Sequence, residues 1–252
     1  MSNLVRRADL GVEQAAALDI SLHRLKDKAW EWLAAMGAGK EDGFDGTAVM
    51  ANLWNTTRSE HDSDLDWYRR ADVSQAMICE LARWHSTDEN VREQFGAIIE
   101  FAEGSRFLDF GGGIGTLAIA MALAYPAVLV DVIEPGPWAR AFIAERAARL
   151  GARVRIVDEP EGHYNTIVGM DVVEHLAEPV SFLHMAHDHL VDEGVVAMNW
   201  VFCQTPSHPQ HVNECTDKSI AFHKMREVLF GEPNPDAVVH INGWPSVHRR
   251  KS

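Results

Sequence analysis

Three cysteines in 252 residues, Cys79, Cys203 and Cys215, leave little scope for cross-linking. They lie far apart and form no Cys-x-x-Cys pair, which excludes a disulfide framework or a cysteine zinc site and suits a reducing compartment. Positive charge is scarce too: 23 Lys and Arg stand against 37 Asp and Glu, a net charge of −14. Phosphate backbones are held by Lys and Arg, so no nucleic-acid partner is expected. No apolar run reaches the ~18 residues of a membrane-spanning helix. The longest candidate, residues 117–130, is broken by Tyr125-Pro126, so no membrane partner is expected either. Residues 1–10 carry Arg6, Arg7 and Asp9 without an apolar stretch, so no secretory leader is expected and the chain reads as cytoplasmic. Internal repeats and low-complexity segments are also lacking. What remains is an ordinary globular composition, 46% hydrophobic and 24% charged, sized for one large domain or a domain with an extension.

The two parts of the chain are patterned differently. Residues 12–36 place apolar side chains near a 3.6-residue period, and the spacing predicts a long helix ended by Gly37 and Gly39. A short helix is expected over 47–54, a long one over 66–85, and a third, capped by Asp88, running to 103. Trp30, Trp32, Trp54, Trp67 and Trp84 all fall in this region. They suit either helix packing or a lid with an aromatic-lined pocket, for which Trp54 is the candidate substrate contact. From residue 104 onward short apolar runs alternate with helical patterns. Strands are expected over 106–110, 127–133, 153–157, 164–170, 194–202 and 238–241, with helices over 114–125, 137–150, 179–190 and 219–230. Such alternation predicts an α/β fold, a Rossmann-like, doubly wound, mostly parallel sheet. The expected organisation is a helical extension or lid, 1–103, followed by a sheet domain, 104–252.

The first strand runs into Asp109-Phe110-Gly111-Gly112-Gly113-Ile114-Gly115-Thr116. A dinucleotide fingerprint, Gly-x-Gly-x-x-Gly, fails from Gly111, where Thr116 takes the third position, and fails again from Gly113. The pattern that fits is Asp-x-Gly-x-Gly-x-Gly. A carboxylate at the strand end repels a pyrophosphate but pairs with an ammonium group, so the ligand implied is a nucleoside carrying an amino acid. On these residues the chain resembles the class I S-adenosylmethionine-dependent methyltransferases, over roughly 107–202. The resemblance implies that Asp109, Gly111, Gly112, Gly113 and Gly115 form the cofactor loop. Glu134, in Glu134-Pro135, then takes the ribose diol, and Asp158, ahead of Glu159, the adenine amino group. Residues 164–176, with Asp171 and Val172, match the fourth-strand motif, with Tyr164-Asn165 where Phe-Asp is frequent. Tyr68 is expected to reach the cofactor or substrate from the helical region.

Methyl transfer from a sulfonium is an in-line displacement, so the protein aligns the nucleophile and helps remove its proton. His175, just beyond the fourth strand, is the expected base; a helix-packing or capping role competes with it. Asp171-x-x-Glu174-His175 also resembles the Glu-x-x-Glu-His metal motif of ubiquinone-pathway and small-RNA methyltransferases. Asp in first place shortens the reach, and a fourth ligand would have to come from His208 or His211; no metal is assigned. The segment after the fifth strand contains Trp200, His208 and His211. Open α/β sheets bind ligands beyond the carboxyl ends of their strands, which makes these residues candidate substrate contacts. His184, His187 and His189 read as surface residues of a helix. The expected activity is methylation of an O, N or C nucleophile of a small-molecule metabolite, within a biosynthetic route. Methylation of a peptide or protein, or cofactor binding without turnover, are the alternatives.

Overall fold

The structure, a computed structural model, describes residues 29, 31–32, 45–58, 64–87, 94–96, 98–99, 101–233 and 246–251. Most of the helices expected over 12–36 and 88–103, and the strand expected over 238–241, lie outside these residues. Helix α1 spans Gly46–Thr57, capped by Asp45, whose carboxylate accepts the Ala48 N–H at 3.1 Å. The long helix expected over 66–85 is two: α2, Asp64–Tyr68, and α3, Ala71–Thr87. Asp72 takes the Val73 N–H at 2.9 Å and the Arg70 guanidinium at 2.8 Å, a local alternative that restarts the helix after a break.

The sheet domain follows as β1 (Arg106–Phe110), α4 (Thr116–Ala124), β2 (Leu129–Ile133), α5 (Pro137–Leu150), β3 (Val154–Val157) and β4 (Tyr164–Gly169). After a 3-10 turn at Val173–His175 come α6 (Pro179–His189), β5 (Leu190–Met198), α7 (Asp217–Leu229) and β6 (Ser246–Arg249). The strand order is β3-β2-β1-β4-β5-β6, parallel except for the antiparallel β5–β6 pair. This is the Rossmann-like sheet that the alternation predicts. Two edges differ. β5 begins at Leu190 rather than near 194, because Tyr164 pairs with Leu190 before a register shift. β6, absent from the sequence reading, pairs Ser246 with Met198.

Alternation along β1 sends Phe107 to one face and Leu108 to the other. Phe107 packs with Leu117, Met121, Val130 and Val168, and Leu108 with Ile167, Phe182, Leu183 and Phe222. α3 docks on α5 through Ile78, Ala82, Ala139 and Phe142, and the Ser74 hydroxyl accepts the Ala139 N–H at 3.0 Å. That contact holds the helical region over the sheet's C-terminal edge. Among the described residues no helix is long and apolar enough to cross a membrane.

One buried charge ties four strands. Asp131 on β2, fully buried, accepts from Arg155 at 2.7 and 2.8 Å, from the Tyr164 hydroxyl at 2.9 Å and from Arg106 at 3.3 Å. Burial raises its pKa, yet the bonds from Arg155 and Tyr164 outweigh burial and hold the carboxyl below its ordinary value. Asp131→Ala leaves these donors facing a cavity. It is expected to cost about 3 kcal/mol in denaturant unfolding, since breaking a buried pair strands its partners.

Candidate active site

The order of the sheet reverses beside β1, and the crevice that opens there is where such sheets bind ligands. Its floor is the glycine turn. Gly111, Gly113 and Gly115 have φ of 74°, 56° and 72°, the left-handed region. A Cβ on Gly111 would lie 2.3 Å from a Val172 methyl, and one on Gly112 would lie 2.5 Å from Val132. Only glycine allows so close an approach. The Gly111 and Gly112 amides donate to the Ile133 carbonyl at 2.8 and 3.1 Å. Glu134 fixes the turn: its two oxygens accept the Gly113 and Gly136 N–H groups, both at 2.8 Å.

Two acids stand at this end. Asp109, 3% exposed, is pushed by burial to about 7, against a bond from the Ala118 backbone. Burial lifts Glu134 to about 8, against the Gly136 and Gly113 bonds and with the help of nearby Asp109. Both carboxylates accept backbone N–H groups, and each has lone pairs left over. At the rim, Arg140 on α5 pairs with Asp158 at 2.9 Å and donates to the Glu134 carbonyl at 3.2 Å, linking the ends of β2 and β3.

The other end is built after β4. Asp171 has φ of 52°, its N–H donates to the Asn199 side-chain oxygen, and Asn199 returns a bond to its carboxylate at 2.7 Å. Burial raises Asp171 to about 6, against the Asn199 bond. This turn throws the next residues inward. The Tyr68 hydroxyl from α2 lies 2.9 Å from His175 Nδ1. The His175 and His211 rings are edge-on with centroids 4.6 Å apart, and His208 is 5.0 Å beyond. Burial, then His211 and His208, hold the His175 imidazole neutral and lower its pKa to about 3. Burial, then His208, lower His211 to about 4. Glu174, 2% exposed, accepts the Val201 N–H at 3.2 Å through Oε1. Burial and the neighbouring Asp171 raise it to about 8.

Both ends open into one cavity of about 1310 Å³, with apolar walls that include Leu65, Met77, Leu81, Trp84 and Phe95. A single small-ligand pocket takes ~300–1,000 Å³, so this one has space for a nucleoside-sized cofactor and an acceptor together. The cavity brings together Tyr68, Asp109, Gly111, Gly112, Gly113, Glu134, Pro135, Asp158, Asp171, Val172, His175, His208 and His211. Four expected residues are outside its lining. Glu159 is exposed beyond Asp158. Gly115 lies behind the loop and caps α4. Trp54 stacks edge-on against Trp67 at 5.0 Å, and Trp200 packs on Phe222 at 5.1 Å. Both rings are held by packing, away from the cavity.

The lining also includes residues the sequence reading left out, among them Arg140 and the His85–Thr116 pair, bonded at 3.0 Å. The amphipathic pattern of residues 66–85 marked a buried face but not what it faces. Glu174, His175 and His211 each offer one ligand atom within 4.8 Å of the others, a spacing a divalent cation can share. Asp171, the first acid of the motif, is bonded to Asn199 and is not among these three.

A family model described as a methyltransferase domain matches residues 83–227, more than half of the chain. The chain belongs to this methyltransferase family. The family and the fold are those of the class I S-adenosylmethionine-dependent methyltransferases. Ubiquinone biosynthesis O-methyltransferase of Caulobacter sp. (strain K31) is 33% identical over 100 residues, covering 37% of this chain and 40% of that protein. The methyltransferase thus spans well under half the length of that relative. Among solved structures, "PigF with SAH" superposes with a TM-score of 0.55 at 15% identity, over 96% of this chain and 97% of that one. An O-methyltransferase family protein from Burkholderia thailandensis gives 0.55 at 13% identity, over 85% and 74%. These likenesses show the fold.

The residues fit the cofactor. The glycine turn is a cradle that any Cβ would fill, and the buried Asp109 and Glu134 carboxylates beside it keep lone pairs that an ammonium and a ribose diol can use. When bound, S-adenosylmethionine supplies an electrophilic methyl on a sulfonium. The glycine turn, Asp109 and Glu134 would hold it at this end of the cavity.

Proposed function

We propose that the methyltransferase methylates a hydroxyl of a small, partly apolar molecule in a biosynthetic route, with His175 as general base. The observation that carries this reading is the Tyr68–His175 pair, bonded at 2.9 Å in the cavity that also holds the glycine turn. A hydroxyl must lose its proton as it attacks, and burial keeps the His175 imidazole neutral, with a ring-nitrogen lone pair to accept it. The base role uses the tautomer in which Nδ1–H donates to the Tyr68 oxygen and Nε2 keeps its lone pair. The relative from Caulobacter is an O-methyltransferase by name, which supports oxygen as the nucleophile. α1, α2 and α3 act as the lid, with Tyr68 and Leu81 reaching the cavity from above the sheet. Glu134 and Asp109 hold the ribose and ammonium, and Asp158 the adenine side, while His208 and His211 border the acceptor.

The test is transfer of labelled methyl from S-adenosylmethionine to a panel of small hydroxylated aromatics, set against peptides and whole protein. Label is expected in a small molecule as a base-stable ether. Label confined to protein, or to nitrogen or carbon, contradicts the reading.

A further inference from the structure

Arg146 and His85 have no role in the site so far, and the hydrogen bonding of neither is complete. Arg146 on α5 is 2% exposed, and no acid pairs with it among the described residues. Its Nη1 donates to the Ile114 carbonyl and, at 3.2 Å, to the Thr116 hydroxyl, while its Nε and Nη2 are buried without a partner. The arginines that line the cavity are engaged: Arg69 with Asp66, Arg83 with Glu80 and Arg140 with Asp158. Arg146 is instead a buried charge without a counter-charge, which is costly unless something supplies one. His85, 6% exposed, lies one turn beyond Leu81 on α3, so the two share a face, Leu81 over Gly113 and His85 on Thr116. Arg146 can only donate to Thr116 Oγ1, which frees the hydroxyl hydrogen for His85 Nδ1, 3.0 Å away. That sets the tautomer in which Nε2 carries the ring hydrogen. Nε2 meets no acceptor among the described residues, and His85 lines the cavity, its ring framed by Trp84 and Phe95. Burial, then Arg146, keep the imidazole neutral, its pKa drawn down to about 3. This donor stands at the start of α4, whose N-cap, Gly115, has no side chain to offer the first amides. Asp109 accepts the Ala118 N–H of the same turn.

We propose that the His85 Nε2–H, with the first amides of α4, receives the carboxylate of the methyl donor's amino-acid part, and that Thr116 and Arg146 are positioning residues behind it. This rests on the reading of the glycine-turn end as the cofactor site, but not on the identity of the acceptor. An amino acid's ammonium and carboxylate hang from one carbon. With the ammonium on Asp109, the carboxylate falls at the same turn of α4, where Thr116 and Leu117 line the cavity and an uncapped helix N-terminus favours an anion. The buried charges match the ligand's in sign. Asp109 answers the ammonium directly, and Arg146 answers the carboxylate through the hydrogen bonds of Thr116 and His85. An imidazole held as a donor on its cavity side cannot accept there, so the relay welcomes an anion and turns away a second cation. The amino-acid part is thereby held one way round.

The test needs no acceptor. Its probes are S-adenosylhomocysteine and the decarboxylated analogue, which keeps the adenosine, the thioether and the ammonium. Calorimetric titration of the full wild-type chain at pH 7 is expected to show a preference of about tenfold or more for the carboxylated ligand. His85→Phe keeps a ring between Trp84 and Phe95 but has no N–H. It is expected to lose about tenfold in affinity for S-adenosylhomocysteine while staying within about twofold for the analogue. His85→Gln, whose amide can donate from a similar place, is expected to recover most of the preference. A merely structural histidine would weaken both ligands alike, and that result overturns the assignment. Equal binding of the two ligands by the wild type also overturns it, a measurement that needs no variant, and so does a preference that survives intact in His85→Phe. Failure of well-folded wild type to bind either ligand contradicts the cofactor reading, and this assignment with it.

Discussion

Gly113→Val is expected to lower S-adenosylhomocysteine affinity by about a hundredfold or more while leaving the rest of the fold in place. Three observations converge on this residue. Its φ of 56° is strained for any L side chain and most of all for a β-branched one. A Cβ there would lie 2.6 Å from the Leu81 Cδ1 that covers the loop from α3. Its N–H is the donor that fixes Glu134 at 2.8 Å. The free variant escapes strain by moving the loop, so ligand binding has to restore both the strained backbone and the Glu134 bond. Together these terms amount to roughly 3 kcal/mol, taken from affinity rather than from the core. Gly151→Ala is the comparison. It too has positive φ, 69°, but a Cβ there meets nothing within 4 Å. Its expected result is a modest fall in melting temperature with unchanged affinity. Calorimetry with thermal melts on both variants separates the two effects.

His175→Ala is expected to cut turnover by on the order of 10²- to 10³-fold, the range for a lost general base. Cofactor affinity should stay within about twofold, because the glycine turn and Glu134 are untouched. The distinction matters because the imidazole also packs edge-on against Tyr68 and His211, with centroids 5.9 and 4.6 Å away. A purely structural histidine would change stability and affinity together and spare the chemical step. Single-turnover rates beside a cofactor titration read the two separately.

Much of the glycine-turn end was legible because its residues are local in the sequence. A strand, an acid, three glycines at fixed spacing and a second acid 25 residues later, Asp109 and Glu134, are adjacent in sequence as well as in space. The parallel sheet followed from alternation alone. The acceptor end was less legible, because its contacts bridge distant segments. Tyr68 and His175 are 107 residues apart, and no spacing rule pairs them. Trp54 and Trp200 were plausible pocket residues on composition, but a large apolar ring packs wherever neighbours bury it, and theirs are Trp67 and Phe222. The sequence ranked Asp158 ahead of Glu159, and Asp158 lines the cavity, paired with Arg140 of α5, an ion pair no sequence spacing announces. The break at Arg69–Arg70 was hidden because the apolar period continues across it, while the Asp72 bond that restarts the helix is a side-chain matter.

Titration of the wild-type protein with S-adenosylhomocysteine tests the account most directly, because everything said of the cavity depends on its glycine-turn end holding the cofactor. One site per chain is predicted, with a dissociation constant in the micromolar range, about −8 kcal/mol. Saturation without binding at about 1 mM, with well-folded protein, would contradict the assignment of the glycine turn, Asp109 and Glu134 as the cofactor site.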